Sequence, residues 1–126
     1  MEKSYVMCDT NVFIHWFNND HQTIEKLKEI GLERIAVSVI TFMELIQGVD
    51  NKEQLQKLKR KIKNYTLIDF TKEVSELSLQ FVENYKLSHN IQIPDAIIAA
   101  TSIFFKIPLF TYNIKDFQFI PEIDLV

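Results

Sequence analysis

Four carboxylates, Asp9, Glu44, Asp95 and Asp116, stand apart from the other acids of this 126-residue chain. Each follows or interrupts an apolar segment: Asp9 after SYVMC, Glu44 within TFMELI, Asp95 ahead of AIIAATSIFF, and Asp116 just beyond PLFTY. Acids such as Glu25, Glu29, Glu33, Glu53, Glu73, Glu76 and Glu83 lie instead among lysines and read as solvated helix faces. A carboxylate in apolar surroundings is costly unless it caps a helix, pairs with a cation or binds a metal. Taken singly, Asp9 and Asp95 read equally well as helix N-caps. Taken together, four acids with no complementary Lys or Arg close in sequence suggest a hard-oxygen site for Mg²⁺ or Mn²⁺. The chemistry that suits such a site is metal-assisted hydrolysis of a phosphodiester.

The elements that must position these acids are short and alternating. Strands are expected at Ser4 to Cys8, Arg34 to Val39, Thr66 to Phe70, Pro108 to Tyr112 and Asp124 to Val126. Helices are expected over VFIHWF, Thr23 to Gly31 with Gly31 as C-cap, Thr41 to Gly48, Lys52 to Lys63 and Lys72 to Tyr85. A last helix follows Pro94-Asp95 and is broken by Pro108. Apolar strands alternating with helices imply an α/β fold with a parallel sheet covered on both faces. In such a sheet the junctions after the strands share one edge, where ligands bind. Asp9 and Asp116 belong to that edge, and Glu44 and Asp95 lie on helices able to reach it.

Composition narrows the choices. The length fits a single domain over 1–126, and one cysteine excludes an internal disulfide. Two glycines exclude Gly-rich dinucleotide and P-loop motifs. There is no apolar run of spanning length, so no membrane partner is expected and the cytoplasm is the expected compartment. Cys8 reads as a small core hydrophobe. The three histidines lack the spacing of a zinc site. A net charge of −3 argues against a general nucleic-acid binder. The local run KLKRKIK offsets this, offering Lys57, Arg60 and Lys61 as phosphate contacts, although a solvated face explains it equally well. A phosphoacceptor receiver would want adjacent acids after the first strand, and a dehalogenase-type phosphatase would want an Asp where Asn11 stands.

The segments CDTNVFI, SVITFMELIQGV and IPDAIIAATSIFFKIPLFTYNIKDF together resemble the PIN domain, and within it the VapC-type toxin ribonucleases of toxin–antitoxin pairs. The resemblance spans nearly the whole chain. It implies a PIN-like three-layer α/β/α fold with a central, mostly parallel sheet, and a divalent-metal endoribonuclease acting on RNA. It also implies a homodimer and a neutralising cognate antitoxin. The family's acids fall on Asp9, Glu44 and Asp95. Asn113 stands where some relatives carry aspartate, so Asp116 is taken as the fourth acid with Asn113 as a polar helper. Thr10 and Asn11 match the polar pair after the first acid, and Thr111 the hydroxyl near the fourth. The alternative is a non-catalytic PIN-fold module that binds RNA or protein and uses its acids as caps.

Overall fold

A computed structural model describes residues 4–126. Four parallel strands form the sheet: β1 (Val6–Cys8), β2 (Ile35–Ser38), β3 (Thr66–Ile68) and β4 (Leu109–Phe110), in the order β3-β2-β1-β4. Met7 pairs with Ala36 on one side and Leu109 on the other, and Cys8 pairs with Phe110. Among the described residues, six α-helices connect and cover these strands: α1 (Thr10–Phe17), α2 (His21–Ile30), α3 (Val39–Gln47), α4 (Lys52–Ile62), α5 (Lys72–His89) and α6 (Ile93–Phe105).

The period-2 alternation of strand side chains divides the interior into two cores. Val6, Cys8, Ile35, Val37 and Phe110 point to one face and pack with Val12 and Phe13 of α1, Leu27 of α2, Leu45 of α3, and Leu58 and Ile62 of α4. Met7, Ala36 and Leu109 point to the other and pack with α5 and α6. This is the expected three-layer α/β/α arrangement. Ala96, Ala99 and Ala100 are fully buried in the core that α6 shares with α5 and the sheet.

Several boundaries differ from the sequence expectation. The strand expected from Pro108 to Tyr112 pairs as β4 only over Leu109–Phe110, because Thr111 turns its hydroxyl into the Asp9 carboxylate. The strand expected at Asp124 to Val126 is reduced to one parallel bridge from Leu125 to Leu109. Helix α5 runs past Tyr85 to His89 and ends on Asn90 in the left-handed region. Helix α6 ends at Phe105 with left-handed Lys106 as its cap, two residues before Pro108. Its start also lies earlier than expected. Gln92 is the cap and Pro94 sits in the first turn, where its missing N–H costs nothing. Asp95 is therefore the third helical residue, and not an N-cap. Gly31 does cap α2, with φ of 104° in the region that favours glycine.

Candidate metal centre

Asp9 leaves β1 at the centre of the sheet edge, its backbone N–H still bonded to Phe110 O at 2.9 Å. It is only 4% exposed and is the N-cap of α1. Its Oδ1 accepts from Thr10 N at 2.7 Å. Its Oδ2 accepts from Thr111 Oγ1 at 2.8 Å and from Asn11 Nδ2 at 3.1 Å. Burial pushes the Asp9 carboxyl up, these three hydrogen bonds pull it back, and Asp116 raises it further. The cap reading of Asp9 is thus correct, but it accounts for one carboxylate oxygen of two.

Glu44 is half-buried on α3, and its Oε1 accepts from Thr10 Oγ1 at 2.6 Å. Thr10 therefore bonds to two acids, Asp9 through its backbone and Glu44 through its hydroxyl. Asn11 Oδ1 accepts from Tyr112 N at 3.1 Å, and Asn113 N donates to Thr111 Oγ1 at 3.0 Å. The residues expected to support the acids, Thr10, Asn11, Thr111 and Asn113, all join this network.

Asp95 is half-buried in the first turn of α6, and its carboxyl is pushed up to about 7. Burial contributes most, followed by the negative charges of Asp9, Asp116 and Glu44. The positive helix end works the other way, but at about 0.3–1 kcal/mol it cannot offset so large a rise. Asp116 is exposed in the 3₁₀ turn Ile114–Asp116 and acts on both Asp9 and Asp95. Asp9, Asp116 and Glu44 thus all bear electrostatically on Asp95.

Among the described residues no cationic side chain forms an ion pair with them. Among the described residues the ion pairs are Lys57–Glu53 and Lys72–Glu76, both between exposed side chains on α4 and α5. Nor do the acids form a closed ligand shell, since among the described residues no three His, Cys, Asp or Glu side chains enclose an ion-sized space. Asp9 and Glu44 are instead hydrogen-bonded to Thr10, Asn11 and Thr111. The donors are all oxygen, the kind that Mg²⁺ and Mn²⁺ prefer, and Mg²⁺ in particular retains several waters beside one or two carboxylates. Asp9, Glu44, Asp95 and Asp116 are the side chains that could hold such an ion.

The basic residues divide. Lys57, Arg60 and Lys61 are all exposed on α4. Lys57 and Lys61 line a groove of about 450 Å³ that also contains Glu44, Ile14, Phe17 and Leu58, whereas Arg60 lies outside its lining. The Lys61 ammonium sits 4.5 Å from the Phe17 ring centroid. Cys8 is buried, and burial holds its thiol far above its ordinary range, as suits a core residue. Trp16 and Phe17 are half-buried and pack with Phe13, while Trp16 also packs with Tyr65. The sequence reading missed Tyr112, Thr23 and Asp20, whose side chains meet beside this site. Only the Asp20 and Thr23 cap spacing was visible in sequence, because Tyr112 lies 89 residues from Thr23.

The PIN domain family model matches residues 6–121. Ribonuclease VapC1 of Methanocaldococcus jannaschii is 32% identical over 98% of this chain and 87% of its own length. Among solved structures, a toxin–antitoxin complex from Klebsiella pneumoniae is 30% identical with a TM-score of 0.80, covering 94% of each chain. VapBC2 of Rickettsia felis, bound to a DNA fragment from its promoter, is 25% identical with a TM-score of 0.81 over 97% of each chain. The chain belongs to the PIN-domain family, among its VapC-type members. The fold is the one the resemblance implied.

Proposed function

We propose that this protein is a divalent-metal-dependent endoribonuclease, a toxin neutralised by a cognate antitoxin protein. The observation that carries this reading is the set of four carboxylates, with no ion pair to them among the described residues, at the sheet edge where α/β folds bind ligands. Similarity to a ribonuclease VapC1 and to toxin–antitoxin complexes supports the RNA substrate and the antitoxin partner. Asp9, Asp95 and Asp116, with Glu44, would hold Mg²⁺ or Mn²⁺. When bound, the metal supplies a Lewis acid that activates water and balances charge on the phosphodiester.

The chain's own part is positioning. Thr111 and Asn11 fix Asp9 by one oxygen, Thr10 fixes it by the other, and the Thr10 hydroxyl orients Glu44. Lys57 and Lys61 flank the groove that continues from Glu44 and would steady phosphates of a bound strand, and Arg60 would add charge only at long range. The homodimer implied by the resemblance would have apolar surface to cover, since Leu79, Leu87 and Ile93 are 61%, 100% and 65% exposed. An RNA substrate places the action in the cytoplasm. Among the described residues no helix is long and apolar enough to cross a membrane.

The test is cleavage of cellular RNA by purified protein with Mg²⁺, Mn²⁺ or a chelator, beside Asp95→Asn. We expect metal-dependent cutting that falls by orders of magnitude in the variant while its fold survives. Equal cleavage by Asp95→Asn would overturn the reading. A wild type that binds RNA or protein without cutting would favour the non-catalytic module, for which the hydrogen-bonded cap at Asp9 is the supporting observation.

A further inference from the structure

Beside the acids lies a second polar chain that the proposed chemistry does not use. The Tyr112 hydroxyl is 2.5 Å from Thr23 Oγ1, which is 2.6 Å from Asp20 Oδ2. Thr23 is fully buried, and its backbone N–H also bonds to Asp20 Oδ2, at 3.1 Å. The Thr23 hydroxyl has one proton, and an ionised Asp20 can only accept. That proton therefore goes to Asp20, and Tyr112 must donate to Thr23. The chain of bonds has one direction, from the tyrosine to the carboxylate. The tyrosine ring is braced by His15 edge-on at 4.9 Å and by Phe110 at 5.3 Å.

The other end of Tyr112 faces the acids. Its backbone N–H donates to Asn11 Oδ1, while Asn11 Nδ2 donates to Asp9. Its neighbours Thr111 and Asn113 are bonded to each other, and Thr111 to Asp9. One residue thus joins the first turn of α2 to both side chains that orient Asp9 Oδ2.

We propose that Tyr112, anchored through Thr23 and Asp20, is a positioning residue that sets the Asp9 carboxylate for the metal. The role rests on the metal reading of the preceding subsection, but its first test does not. In metal-free protein, Tyr112→Phe and Thr23→Val should speed amide hydrogen exchange at Tyr112 and Asn113 by about two- to tenfold, the worth of one hydrogen bond. Thr23→Ser, which keeps the hydroxyl, should restore protection. In the second test, titration of Mn²⁺ read by its electron paramagnetic resonance signal should show several-fold weaker binding for Tyr112→Phe and recovery for Thr23→Ser.

Unchanged exchange at Tyr112 and Asn113 in both variants would overturn the anchor. Faster exchange with wild-type Mn²⁺ affinity would overturn its positioning role. A wild type that binds no Mn²⁺ would sink the metal reading itself, a result distinct from a variant that binds as tightly as wild type.

Discussion

Asp95 and Asp9 are both aspartates at helix beginnings, yet their substitutions should behave differently. Asp95 has its carboxyl raised to about 7 by burial and three negative neighbours. The folded state therefore holds the Asp95 proton more tightly than the unfolded chain does. The resulting stability of metal-free protein is fully present below about pH 4 and declines as pH rises through about 7. Asp95→Asn removes that loss. The metal-free variant should match wild type near pH 4 and exceed it at pH 8 by about 1–2 kcal/mol, allowing for screening at a half-buried group. Urea unfolding in chelator at the two pH values checks this, and a less stable variant at pH 8 would contradict it. Asp9→Asn is not equivalent. Asp9 accepts from three donors through two oxygens, so an amide must turn its NH₂ toward at least one of them. Asp9→Asn should lose about 1–3 kcal/mol of stability as well as function, through a buried mispaired polar group. Asp95→Asn is therefore the cleaner probe of chemistry.

At the scale of elements, two helices set the site in opposite ways. Helix α6 carries Asp95 in its first turn, and Ala96, Ala99 and Ala100 of the same helix are packed in the core, all three at 0% exposure. Ala99→Leu should be destabilised by about 1–3 kcal/mol through overpacking, measured by thermal or denaturant unfolding. If the helix moves outward to make room, it carries Asp95 with it, and metal affinity should fall too. Helix α4 is bound to the core only by its apolar side, through buried Leu58 and Ile62. Its lysines are then free to be functional or merely solvated. The groove separates the two readings within one helix: Lys57→Ala and Lys61→Ala should each flatten the salt dependence of RNA binding by about 0.7 log unit, the value for one single-strand phosphate contact. Arg60→Ala, outside the groove lining, should leave the slope nearly unchanged. Slopes unchanged from wild type in all three variants would return the basic run to a solvated face.

Across the whole molecule, what could be read from the sequence follows from how far each signal reaches. Strand and helix types were legible because apolar runs such as VMC and IAVS, and the stripe through Leu58 and Ile62, are local. The four acids were legible because each interrupts its own apolar segment. What escaped was tertiary, Tyr112 meeting Thr23 and Thr111 turning out of β4, together with one local boundary, Pro94 falling inside the first turn of α6 so that Asp95 is no cap. The same global view yields the strongest test of the proposed metal centre. If the four carboxylates share a divalent cation, the metal should relieve their repulsion and stabilise the fold. Binding to the folded state alone stabilises it by about 2.7 kcal/mol at a hundredfold excess over the dissociation constant, a rise of about 10 °C in melting temperature for a domain of this size. Asp95 must give up its proton to ligate, so the shift produced by a fixed Mn²⁺ concentration should be large at pH 8 and shrink steadily below about pH 7. Asp95→Asn should show a small shift at either pH. Thermal melts across that range decide the matter: a wild type whose melting temperature ignores millimolar Mn²⁺ at pH 8 would mean that the four acids do not share an ion.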